Sequence, residues 1–132
     1  MKISKTVLLI DDDEDEHVWF KEALDIYDNT IACLSAYDCS QALHILKETH
    51  PDFIFSDFNM PGFNGLECLQ RIKCIPALKD IPVYIYSASK ATKEERSKAL
   101  ELGAEEWLYK PANLNEYKLL FKKVFENQSS SF

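Results

Sequence analysis

The residues best equipped for chemistry in this chain fall at the ends of short apolar runs. Asp11 and Asp12 follow Val7, Leu8, Leu9 and Ile10; Asp57 follows Phe53, Ile54, Phe55 and Ser56. Ser87 follows Val83, Tyr84, Ile85 and Tyr86, and Lys110 follows Trp107, Leu108 and Tyr109. Buried strands have little use for charge in their interiors, and in a parallel sheet the carboxyl ends of the strands share one edge. Three carboxylates, a hydroxyl and an amine then converge on one crevice. Carboxylates a few ångström apart raise one another's pKa unless something positive sits among them. Hard oxygen donors suit Mg²⁺, which keeps several waters and takes one or two carboxylates plus a phosphoryl oxygen. With its charge offset by such a cation and by Lys110, the Asp57 carboxylate is a nucleophile toward phosphorus. The resulting acyl phosphate would be held by the cation, the Lys110 ammonium and the Ser87 hydroxyl. Plainer readings stand beside this one. The acidic run at 11–16 also fits a solvated helix start, where Glu14 and Asp15 suit the macrodipole. Asp57 also fits a turn cap, Lys110 a surface lysine and Ser87 a strand-end hydroxyl.

The elements that must position these groups are legible as an alternation. Short β-branched or aromatic runs predict strands at 6–10, 30–35, 53–56, 83–86 and 107–109. Amphipathic stretches predict helices at 14–28, 39–48, 65–74, 93–102 and 114–126. Five βα units of this kind make a doubly wound α/β fold around a parallel sheet. A short polar side chain followed three residues later by Glu or Gln satisfies orphan amides at a helix start. The pairs Asp13 and Glu16, Asp38 and Gln41, Asn64 and Glu67, Thr92 and Glu95, and Asn113 and Glu116 all fit it. Leu114, Tyr117, Phe121 and Val124 give the last helix one apolar stripe for the sheet. Gly62, Gly65 and Gly103 and all five prolines fall in connections or at element edges.

Composition narrows the classes. The chain has 132 residues, the size of one domain, and 46% of them are hydrophobic, enough for a packed core. Its apolar runs fall far short of the roughly 20 residues of a membrane span, and its basic N-terminus leads into an acidic run rather than a signal peptide. A cytoplasmic location is expected. Fifteen basic against 22 acidic residues leave a net charge of -7, which argues against nucleic-acid binding. Cys33, Cys39, Cys68 and Cys74 contain no C-x-x-C, and His17, His44 and His50 form no ligand cluster beside them. All four cysteines read as reduced, small apolar residues.

Four segments resemble the receiver domain of two-component response regulators: VLLIDDD at 7–13, PDFIFSDFNMPGFNG at 51–65, IPVYIYSA at 81–88, and LGA at 102–104 running on to Lys110 and Pro111. The resemblance covers essentially the whole chain. It implies a flavodoxin-like fold with strand order 2-1-3-4-5 and a receiver domain at 1–127; the serine-rich composition of 128–132 reads as a frayed tail. It implies Asp57 as phosphoacceptor, with Asp12 a direct Mg²⁺ ligand and Asp11 acting through water. Asn59 would offer its backbone carbonyl to the metal. Ser87 matches the switch hydroxyl, Lys110 the lysine that pairs with the phosphoryl group, and Pro111 would follow a cis peptide bond. Asn59 and Ser89 match the positions that tune dephosphorylation. Trp107 departs from the pattern, since the switch aromatic is usually Tyr or Phe.

The function so implied is that of a stand-alone receiver, not an enzyme on other substrates. A sensor histidine kinase or histidine phosphotransfer protein would supply the phosphoryl group, and a downstream protein target would read it, with self-association an open alternative. Three other readings share the architecture. An aspartyl-phosphate phosphatase would find Asn59 where a second acid is expected. A flavin-binding module would need a phosphate cradle where this chain has six acids. A docking module that is never phosphorylated would leave the matched set idle.

Overall fold

The structure, a computed structural model, describes residues 5–60, 62 and 64–126. Pro61, Phe63 and the tail expected at 128–132 lie outside the described residues. Five strands, β1 (Thr6–Ile10), β2 (Ala32–Ala36), β3 (Phe53–Asp57), β4 (Val83–Ser87) and β5 (Glu106–Tyr109), alternate with five helices. The helices are α1 (Glu14–Tyr27), α2 (Cys39–Leu46), α3 (Gly65–Lys73), α4 (Lys93–Glu101) and α5 (Leu114–Phe121), the last running into a π-helical turn (Lys122–Glu126). All pairings are parallel and the strand order is β2-β1-β3-β4-β5, as the resemblance implies. No helix among the described residues is long and apolar enough to cross a membrane.

The period-two alternation of the strands divides the interior in two. Leu8, Ile10, Ile54, Val83, Ile85 and Trp107 face α2, α3 and α4. Val7, Leu9, Phe53, Phe55, Tyr84, Tyr86 and Leu108 face α1 and α5, where Phe20 packs edge-on against Phe55, Tyr86 and Phe121.

Local chemistry sets the boundaries. The Asp28 side chain accepts hydrogen bonds from the Thr30 amide and hydroxyl, so residues 28–30 form a turn and β2 begins later than the β-branched run suggests. Reciprocal capping boxes form at Asn64 with Glu67 and at Thr92 with Glu95. At α2 and α5 the caps Asp38 and Asn113 form, while Gln41 and Glu116 reach one residue further back, to the Tyr37 and Ala112 amides. Asp13 caps α1 through Asp15, and Glu16 takes no part, contrary to the expected pair.

Two further expectations give way to the structure. The Lys110–Pro111 bond is trans, the lower-energy isomer of an X–Pro bond. Cys39 and Cys68 are joined as a disulfide, their Cα atoms 5.7 Å apart in the ordinary disulfide range. The fold lays α2 beside α3 on one face of the sheet, a proximity that a separation of 29 residues does not announce. Cys33 and Cys74 are free; burial pushes the Cys33 thiol up to about 11.

Candidate functional site

Each group expected at the crevice arrives there because its strand ends there. Asp11 immediately follows β1, and Asp57 and Ser87 are the last residues of β3 and β4. Lys110 follows β5, its amide donating to the Ser87 carbonyl. Asp11 is fully buried, Asp57 is 5% exposed and Asp12 lies open to solvent. Carboxylate oxygens of the three lie within 4.8 Å of one another.

The electrostatics follow from that crowding. The Lys110 ammonium lies 2.7 Å from Asp11 Oδ2 and 3.7 Å from Asp57 Oδ1. Burial pushes the Asp57 carboxyl up, Asp11 adds to the push, and Lys110 offsets only part, so the group rises to about 7. Burial alone would lower the Lys110 ammonium, but the hydrogen bond and charge of Asp11, then Asp57 and Glu16, outweigh it and the net direction is up. A buried carboxyl that resists ionising among other acids is the donor set a hard divalent cation would satisfy, so the residues fit the expected metal.

The walls of the crevice hold it in shape. The Asp13 amide donates to Asp11 Oδ1 at 2.9 Å. His17, 2% exposed on α1, bonds the Asp11 carbonyl through Nε2 at 2.8 Å and packs at a tilt against Tyr37, ring centroids 4.3 Å apart. A carbonyl only accepts, so Nε2 carries the proton. The Asn59 amide donates to Asp57 Oδ1, and Asn59 pairs with Asn64 in an isolated bridge that turns the chain back. Gly65 lets that turn close: a Cβ there would sit 2.6 Å from the Asp57 carbonyl oxygen and 2.8 Å from Phe58 Cα.

The two expected switch residues differ in setting. Ser87 is fully buried, and its hydroxyl donates to the Ser89 carbonyl and accepts from the Ser89 amide, both at 3.1 Å. Trp107 is 8% exposed and already turned inward, its ring 4.8 Å from Phe58.

Sequence reasoning did not single out His17 as a wall of the site, nor the polar cluster next to it. Glu16 Oε2 accepts hydrogen bonds from the Tyr86 and Tyr117 hydroxyls, both at 2.8 Å. The signal was the helical spacing of Glu16 with Phe20, Ala23 and Leu24, which puts the acid on the buried face of α1.

Comparison with known proteins agrees with this architecture. The family model of the response regulator receiver domain matches residues 7–122. The phosphate regulon transcriptional regulatory protein PhoB of Pseudomonas aeruginosa is 30% identical over 122 residues, 92% of this chain and 52% of that protein. The chemotaxis protein CheY-3 of Vibrio cholerae is 34% identical over 91 residues, 69% of each chain. The chain thus spans about half the length of relatives such as PhoB. Among solved structures, the phosphorylated cyanobacterial phytochrome response regulator RcpA superposes with a TM-score of 0.83 at 25% identity, covering 95% of this chain and 96% of that one. A receiver domain from Colwellia psychrerythraea gives 0.80 at 27% identity, over 92% and 98%. With five parallel strands in the order 2-1-3-4-5, an acidic crevice at their carboxyl ends and these matches, the chain belongs to the family of response regulator receiver domains.

Proposed function

We propose that this receiver takes a phosphoryl group from a partner's phosphohistidine onto Asp57, in a Mg²⁺-dependent step, and signals through protein contact. The observation that carries the reading is one ammonium, Lys110, set between Asp11 and Asp57 in a cluster of three carboxylates. A carboxylate oxygen of Asp57 attacks phosphorus; the phosphorus–nitrogen bond breaks, and the imidazole leaves with the bonding pair and takes up a proton. Bound at Asp11, Asp12, Asp57 and the Asn59 carbonyl, Mg²⁺ would supply positive charge that keeps Asp57 ionised and offsets the phosphoryl oxygens. Lys110 turns from Asp11 toward the new phosphoryl oxygens. The Ser87 hydroxyl exchanges its two bonds to Ser89 for one to the phosphoryl group, moving the loop that leads to α4. Trp107 is already packed inward, so the response is a shift between conformations that differ in that loop rather than in the indole. Such a domain catalyses only its own phosphorylation and dephosphorylation.

The test is incubation with acetyl phosphate and Mg²⁺ followed by intact mass. A gain of one phosphoryl group, lost with a chelator and in Asp57→Ala, is the expected result. No gain under conditions that modify another receiver would exclude the reading and leave the unphosphorylated docking module in its place.

A further inference from the structure

A second polar cluster adjoins the crevice and is not used in the chemistry above. Glu16 is 4% exposed, Tyr86 fully buried and Tyr117 6% exposed, and both phenol hydroxyls converge on one carboxylate oxygen. Burial pushes the Glu16 carboxyl up, while the two phenols and the Lys110 ammonium pull against it. An acid buried on a mostly apolar helix face carries a desolvation cost that an apolar residue would not. Nor does it serve as a cap, since Asp13 closes the helix start through Asp15.

Its partners are neighbours of the reacting groups. Tyr86 precedes Ser87 on β4 and pairs in register with Asp57, and its carbonyl accepts from the Phe58 amide. Tyr117 lies in α5, which starts four residues after Lys110. Tyr86 joins the cluster to the site: its hydroxyl donates to Glu16, and the Lys110 ammonium lies 5.7 Å from its ring centroid. A phenol that donates to a carboxylate gains electron density in its ring, which strengthens the ring's attraction for a cation.

Asp11 gives Lys110 its shortest contact, yet it also belongs to the carboxylate cluster that fits a divalent cation. An oxygen drawn to that cation holds the ammonium less strongly. The Tyr86 ring and the Glu16 charge behind it are outside the cation cluster and keep their full pull. Building on the receiver reading, we propose that Glu16 is a positioning residue for phosphoryl capture. Acting through Tyr86, it keeps the Lys110 ammonium at the crevice when Asp11 is shared with a cation, while Tyr117 fixes its carboxylate in place.

The experiment compares the wild-type chain, Glu16→Gln, Tyr86→Phe and the exposed control Leu119→Ala. Capture from acetyl phosphate is timed with Mg²⁺ present, and the Lys110 ammonium is followed by ¹H–¹⁵N NMR in metal-free protein. Glu16→Gln is expected to lower the capture rate constant at saturating acetyl phosphate by about tenfold, with the half-saturating concentration changed by less than about twofold, and to shift the Lys110 signal. The control should match wild type in both. A wild-type capture rate constant and an unmoved Lys110 signal in Glu16→Gln would overturn the proposal, as would a rise in the half-saturating concentration alone. If Glu16→Gln fails to fold, Tyr86→Phe decides: it keeps the ring and loses the hydroxyl. A shifted signal and slower capture in that variant support the proposal, and wild-type behaviour in both overturns it. Failure of the wild-type chain to gain a phosphoryl group would strike the receiver reading itself. The metal-free Lys110 signal would still decide whether Glu16 acts through Tyr86 on Lys110.

Discussion

The Lys110 ammonium lies 2.7 Å from the Asp11 carboxylate, closer than the 3.7 Å that separates it from Asp57. The acceptor therefore receives only part of that charge in the resting state, too little to offset the burial and the Asp11 charge that push its carboxyl up to about 7.

The metal-free protein should lose stability as pH rises from about 4 to about 7. Asp57 ordinarily titrates near 3.8, so in this window the folded chain holds a proton at Asp57 that the unfolded chain has released. The unfolded state then binds fewer protons than the folded one, and stability falls with rising pH. A gap from 3.8 to about 7 corresponds to about 4 kcal/mol, fully developed only above the folded pKa. Urea titrations in chelator across the window should show the slope, and Asp57→Asn should reduce it, the raised Glu16 carboxyl leaving a smaller slope of the same sign.

Gly65→Ala should cost about 2 kcal/mol and slow phosphoryl capture at Asp57. The added carbon would meet the Asp57 carbonyl and Phe58 Cα, both backbone atoms that cannot swing aside. Chemical denaturation reads the first effect and intact mass after acetyl phosphate treatment the second. Wild-type behaviour in both would mean that the turn relaxes without cost.

Removal of the acid between the tyrosines should destabilise more than removal of either hydroxyl. Glu16→Leu leaves two buried phenol hydroxyls without their acceptor, a loss of about 3 kcal/mol, whereas Tyr117→Phe takes one donor from an acid that retains another, about 1.5 kcal/mol. Urea midpoints of the two variants rank them directly.

Trp19→Phe should leave a chain whose fluorescence comes from a shielded indole. The sequence has two tryptophans; Trp19 is 54% exposed and Trp107 is packed against Phe58. Emission should shift to the blue and resist acrylamide quenching. Red-shifted, readily quenched emission would place the Trp107 indole in solvent.

What the sequence made legible was what local rules govern. Apolar runs that end in Asp11, Asp57, Ser87 and Lys110 announce both a parallel sheet and the edge where its chemistry gathers, and the helix starts announce their caps. Glu16 shows where those rules fall short. Its spacing from Asp13 suggested a capping partner, while its spacing from Phe20 and Leu24 pointed inward, and the two phenols that reward the inward choice lie 70 and 101 residues away. The Cys39–Cys68 bond was illegible for a similar reason, because adjacency of α2 and α3 belongs to the assembled sheet and not to either helix.

The sheet that separates the two cores also acts as a partition for inheritance. Side chains beneath α1 and α5 pack among themselves, as do those beneath α2, α3 and α4. Changes deep in one chamber and changes deep in the other should therefore add independently in their effect on stability. Each chamber can drift at its own pace, and only the narrow rim where the strands end ties the history of one to that of the other.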